Sequence, residues 1–213
     1  MIKMNNKEPV LIENLIPNSI QKEIYDLCSS NNFPWYYTSG IWGKVIDNPP
    51  KWQYSAMNNL NVTDSPGFTH MFFDGGQPTS NYYSLLRTVL YFLEHKLDFE
   101  IENIIRMRGR MTLQTPNHTK EKYAAPHFDF FDVPNYYTLV YYVNDSDGDT
   151  ILFREKMEDL LAENVIHPNI TSKITPKKGS GIFFSGDTYH AGNFPIDFSN
   201  RIIINYDFTI KDK

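Results

Sequence analysis

Four residues in the carboxy-terminal half of the chain have types and an order that could do chemistry: His127 and Asp129 in "AAPHFDFFD", His190 in "GDTYHAG", and Arg201 at the head of "RIIINYDF". In a strand, residues i and i+2 share a face, so His127 and Asp129 would point together while Phe128 and Phe130 form the packed side. The pair alone better suits a surface histidine at a strand entry followed by an Asx-type turn. His190 supplies a third donor. Two imidazoles and one carboxylate make the facial set that suits non-haem Fe(II) and leaves coordination positions open, although zinc accepts the same ligands.

Arg201 opens a strand of isoleucines, where a guanidinium is costly to bury unless it meets an anion matched to its planar fork. An exposed strand end is the alternative placement. In "YYTLVYYVN", Thr138, Val140 and Tyr142 would share one face, so Tyr142 is the expected partner of Arg201. A metal at one end of a pocket and Arg201 with Tyr142 at the other would bind a dicarboxylate.

The elements that must position these residues are legible as two regimes. Residues 1–102 carry two helical patterns. "ENLIPNSIQKEIYDLCSSNN" reads as a short strand and then a helix capped by Asn18, with Gln21 at the third helical position and Ile20, Ile24 and Leu27 on its apolar side. "TSNYYSLLRTVLYFLEHKL" reads as a second helix, its apolar side expected at Leu85, Val89, Phe92 and Leu97. "FPWYYTSGIWG" and "FTHMFFDGG" read as strands with turns. Over 103–211 the period becomes two, in "NIIRMRGRMTLQT", "PHFDFF", "YYTLVYYVN", "DTILFRE", "NITSKITPKKG", "SGIFFSG" and "RIIINYDFTI". Many short strands with few helices between them predict an antiparallel sandwich or barrel on a helical support, in one domain.

Composition narrows the partners. With Lys+Arg 20 against Asp+Glu 25, the formal charge of -5 speaks against a nonspecific nucleic-acid binder. The one cysteine, Cys28, excludes an internal disulfide and any multi-cysteine metal site. No run of about 18 uncharged apolar residues occurs, and the expectation is a soluble, cytoplasmic protein without a membrane anchor.

Taken in order, "HFD", "VYYVNDSDGDTILF", "PKKGSGIFFSGDTYHAG" and "RIIINYDF" resemble the catalytic core of the Fe(II)/2-oxoglutarate-dependent dioxygenases, in the prolyl-hydroxylase-like branch. The resemblance covers residues 103–211. It implies a mainly β (α+β) fold, with a double-stranded β-helix (jelly-roll, cupin-like) core over 103–211 and supporting helices in 1–102. It also implies Fe(II) held by His127, Asp129 and His190, and 2-oxoglutarate held at its distal carboxylate by Arg201, with Tyr142 adding a hydroxyl and Thr138 one step further along that face. Many relatives place a tyrosine or asparagine on the strand before the His-x-Asp; here Thr112 and Gln114 stand there instead. Halogenating relatives lack the carboxylate that Asp129 supplies, so hydroxylation is the implied outcome, with release of succinate and CO2.

The substrate implied by the branch is a peptidyl prolyl residue or another amino-acid side chain, within a peptide or protein or as a small molecule. A second reading is hydroxylation or demethylation of a nucleic-acid base, supported only by the alternation of Arg106, Arg108 and Arg110. Those arginines are expected on a solvated outer face, one of them drawn into a salt bridge. A third reading is a cupin-like metal-binding module without catalysis. Trp42, Tyr123, Phe130 and Phe131 are candidates for the substrate mouth.

Overall fold

The computed structural model describes residues 8–40, 62–63, 65–116, 118–156, 159 and 168–211. Trp42 lies outside them. Along the chain run β1 (Val10–Ile12), α1 (Asn18–Ser29), β2 (Tyr36–Thr38), β3 (Gly67–Asp74), β4 (Gln77–Pro78), α2 (Tyr83–Leu97) and β5 (Ile101–Leu113). There follow β6 (Tyr136–Tyr142), β7 (Thr150–Phe153), β8 (Ile170–Ile174), β9 (Gly181–Ser185), β10 (His190–Gly192) and β11 (Asn200–Ile210). Among the described residues the larger sheet runs β1-β9-β6-β11-β5-β3-β2 with β4 on β3, and a smaller sheet runs β10-β7-β8. All their ladders are antiparallel. This is a mixed α+β fold with a double-stranded β-helix core.

The period-two patterns sort side chains between two environments. On β11, Ile202, Ile204, Tyr206 and Phe208 turn to one face and join the main core with Leu86, Val89, Leu90 and Leu93 of α2. Each such burial is worth about 1.5–3 kcal/mol, which is how the helices clamp this sheet. The alternate residues Arg201, Ile203, Asn205 and Asp207 turn to the other face. There Ile203 meets Val140, Tyr142, Ile182 and Phe184 of the large sheet and Leu152 of the small one.

Both helices differ in detail from their sequence patterns. Pro17 occupies the cap position of α1, and its carbonyl accepts the Gln21 amide. Asn18 is therefore already helical and makes no side-chain cap. Gln21 turns inward, and its Nε2 donates to the Ile16 carbonyl at 2.8 Å. In α2 the buried stripe is Leu86, Val89, Leu90, Leu93 and Leu97, with Leu85 and Phe92 on its flanks. That stripe follows the 3.6-residue repeat better than the mixed spacing read from the sequence.

Candidate metal centre and anion pocket

"PHFDFF" does not form a regular strand. It contributes a single antiparallel bridge, His127 to His190, with paired backbone bonds of 2.8 and 3.1 Å. Phe128 is buried against Tyr189, whereas Phe130 lies beneath the Arg106 guanidinium, 4.7 Å from its ring centre. The two phenylalanines thus serve different environments. Tyr123 is buried in the small-sheet cluster, and Phe131 is exposed.

The bridge brings one ligand atom from each of His127, Asp129 and His190 to within 4.8 Å of one another. Each histidine commits one nitrogen as a donor, since a carbonyl can only accept. Nδ1–H of His127 reaches Ala125 O at 3.1 Å, and Nδ1–H of His190 reaches Thr188 O at 3.0 Å. The other nitrogen, Nε2, is left with the ligating role. Burial, reinforced by His190, pulls His127 down to about 3, so its ring is neutral and offers a lone pair. Burial also opposes charge on His190, but Asp129 outweighs it and raises the pKa above the ordinary value. Asp129 feels the reverse: burial pushes its carboxyl up, and His190 and Arg106 hold it well below the usual range.

These donors fit a divalent metal. Asp129 Oδ2 is buried without a hydrogen-bond partner and stands 3.4 Å from His190 Nε2. A cation between them would satisfy both atoms and take the place of the His190 proton. The other oxygen, Oδ1, is held by Nη2 of Arg106, which also contacts Asp207 Oδ2 at 2.8 Å while Nε donates to the same oxygen at 2.9 Å. Arg106 therefore orients the carboxylate from behind. The side chains of Arg106 and Arg108 are only 12% and 21% exposed, so the alternating arginines do not lie on a solvated outer face. Asp129 and Phe130 lie against Arg106, and Asp129 also faces Arg108.

An open cavity adjoins the two histidines of the triad. Its walls include His127 and His190 at one side and Arg201, Thr112, Thr150 and Asn193 at another. Arg201 is buried, with Nη2 donating to Thr150 Oγ1 at 2.9 Å and Nε unpartnered. Tyr142 donates to the same Thr150 oxygen at 2.8 Å. Burial pulls the Arg201 pKa down, only partly opposed by Tyr142 and Asp149. Thr112 Oγ1 and Asn193 Oδ1 are also buried without partners. An anion here would satisfy the Arg201 Nε–H and the Thr112 hydroxyl, whereas Asn193 Oδ1 can only accept.

No family model and no curated protein matches the sequence. Solved structures do resemble this chain in fold. An oxidoreductase of the 2OG-Fe(II) oxygenase family from Burkholderia pseudomallei aligns with a TM-score of 0.61 and 13% identity, over 94% of this chain and 84% of its own. The fold is that of the Fe(II)/2-oxoglutarate oxygenases. The α-ketoglutarate-dependent carbocyclase SnoK of nogalamycin biosynthesis aligns with a TM-score of 0.61 and 11% identity, over 95% of this chain and 79% of its own. A Trichoplax adhaerens prolyl hydroxylase, solved with a hypoxia-inducible-factor peptide, gives 0.54 and 12%, over 97% and 85%.

Within this fold the residues expected from the sequence to meet a cosubstrate part company. Thr112 and Arg201 line the cavity, and Tyr142 reaches it through Thr150. Thr138 does not line it. It sits at the opposite end of the same strand face, where its hydroxyl donates to Asp207 Oδ1 at 2.9 Å. Gln114 lies just beyond β5, exposed, its Nε2 donating to the Ile196 carbonyl. Sequence reasoning overlooked Thr150, Asn193 and Asn205. The polar residues at 201, 205 and 207 along one face of an otherwise apolar strand were the available signal for Asn205. No local pattern marks Thr150 or Asn193.

Proposed function

We propose that the protein is an Fe(II)- and 2-oxoglutarate-dependent dioxygenase that hydroxylates a C–H bond of an organic substrate, an amino-acid side chain in a polypeptide or in free form. One observation carries the reading: a single cavity has two histidines on its wall, with Asp129 clustered beside them, and a buried arginine without enough partners elsewhere on that wall. His127, Asp129 and His190 would hold iron. Arg201, with Thr150, Tyr142 and Thr112 about it, would take the distal carboxylate of 2-oxoglutarate.

When bound, iron and 2-oxoglutarate supply the redox chemistry, in which O2 oxidises the cosubstrate to succinate and CO2 and leaves one oxygen atom in the substrate C–H bond. The chain does the rest. Ala125 and Thr188 set the histidine tautomers through their carbonyls, Arg106 fixes the carboxylate, and Arg201 aims the cosubstrate. Retention of Asp129 favours hydroxylation over halogenation. The nucleic-acid reading loses its support, because Arg108 and Arg110 line the cavity and form no outer track for a phosphate backbone. A cupin-like module that only binds metal gives no reason for a second, anion-binding end.

The test is anaerobic addition of Fe(II) and 2-oxoglutarate. A weak visible charge-transfer band is expected, absent in His127→Ala and Asp129→Ala, and Arg201→Ala should weaken 2-oxoglutarate binding while sparing iron. A folded, iron-loaded sample with no such band and no succinate under oxygen would sink the assignment.

A further inference from the structure

The arginines of the cavity face are answered unequally. Burial opposes the charge of Arg106, but Asp207 and Asp129 more than compensate and raise its pKa. Arg108, two residues along β5, reaches Asp129 only at 3.8 Å, and its Nε is buried without a partner. Its side chain is only 21% exposed. Directly across the β5–β11 ladder stands Asn205, also buried and also on the cavity wall, with its Oδ1 unpartnered. A donor without an acceptor and an acceptor without a donor therefore sit side by side, near the metal ligands. Buried polar atoms without partners are few in native proteins, and two facing one cavity point to a group that enters it.

Arg201 cannot be served by the same group. It precedes Asn205 by four residues on β11, about 13 Å at the rise of an extended strand. In the oxygenase reading, 2-oxoglutarate has one carboxylate at Arg201 and the other at the metal, so its charges are already assigned. A neutral amide, as an internal residue of a polypeptide presents, leaves the Arg108 charge unanswered, and so does a nucleobase. A phosphate would answer Arg108, but with a second pKa of about 6 it is chiefly dianionic at pH 7 and then has no donor for Asn205.

We propose that Arg108 and Asn205 form a specificity site for a free α-amino acid, Arg108 receiving the carboxylate and Asn205 Oδ1 the ammonium group. This rests on the oxygenase reading in that it assigns the second anion to the substrate and not to the cosubstrate. The substrate is then a free amino acid hydroxylated on its side chain, which extends from this anchor towards the metal.

The experiment is isothermal titration into the protein loaded with Zn(II) and 2-oxoglutarate, using the common free L-amino acids, their α-carboxamides and their N-acetyl derivatives. At least one free amino acid is expected to bind, with either cap costing about tenfold or more in affinity. Arg108→Gln should weaken the free amino acid by about tenfold or more while changing 2-oxoglutarate affinity by less than about twofold. Asn205→Ala should abolish discrimination against the N-acetyl form alone. The capped ligands test the unaltered protein, so they decide even if a variant fails to fold. Absence of amino-acid binding in protein that does bind 2-oxoglutarate overturns the proposal. Equal binding of the capped forms overturns it too, as does a loss in Arg108→Gln that falls on 2-oxoglutarate. Failure of 2-oxoglutarate to bind, with amino-acid binding through Arg108 intact, would remove the oxygenase reading and leave the amino-acid site standing.

Discussion

His127 and His190 face each other as a hydrogen-bonded antiparallel pair, each donating its backbone N–H to the other's carbonyl, at 2.8 and 3.1 Å. Two segments 63 positions apart in the chain are thereby pinned at the point where their imidazoles must converge. The main chain sets the spacing of the ligands before any metal arrives.

Because the backbone bears that constraint, His127→Ala and His190→Ala should each lose tight metal binding while keeping the fold. Metal titration followed by isothermal calorimetry checks the first part. Near-ultraviolet circular dichroism of the metal-free variants checks the second, with spectra expected to match the parent. A collapsed spectrum would show that the imidazoles hold the bridge and not the reverse.

Arg106→Gln should be among the most destabilising single changes, because it leaves Asp129 and Asp207 buried without their shared cation. Breaking a buried pair from one side costs about 3–5 kcal/mol. Adding Asp207→Asn to that variant removes one of the stranded charges and should recover part of the loss. Urea unfolding of the two single variants and the double variant measures this coupling; simple additivity would contradict it.

Gly148 acts through contact with the arginine. A methyl group there would lie 2.8 Å from Arg201 Cδ and 2.9 Å from the Asn193 carbonyl oxygen. Gly148→Ala should therefore tilt Arg201 and weaken 2-oxoglutarate binding by about tenfold to a hundredfold, as misplaced anchors do, with metal affinity unchanged. Titration of cosubstrate and metal separately distinguishes this from a general loss of structure.

Asp147 tethers the loop that leads into β11, accepting the backbone amides of Ile196 at 3.1 Å and Asp197 at 2.9 Å. Burial alone would raise its pKa, but these amides prevail and lower it below the ordinary 3.8. A lowered carboxyl pKa stabilises the fold above the unfolded-state value and loses that contribution as pH falls through the folded value. Asp147→Asn should accordingly lower Tm at pH 7 and converge with the parent as the solution is acidified below the ordinary carboxylate range. Thermal melts across pH read the difference directly; a gap that widens in acid would reverse the assignment.

Much of the scaffold is local in origin and was readable from the chain. Runs such as "YYTLVYY" and "RIIINYDFTI" alternate with period two, and neighbours in a strand must point to opposite faces whatever the rest of the molecule does. The order of His-x-Asp, His and Arg was likewise visible, together with the resemblance it carries. Other features had no local signature. "PHFDFF" alternates like a strand but makes one bridge, because its pairing depended on how much of β10 lay alongside. Arg106 and Arg108 read as lying on a solvated outer face, since alternation separates two faces without saying which will be covered. Only the packing of the Asp129–Phe130 segment against the large sheet covered Arg106 and set it between Asp129 and Asp207, and only the closing of the small sheet brought Thr150 to Arg201. Chain neighbours dictate periodicity; non-local pairing dictates which face becomes the inside, and the site is made of that inside face.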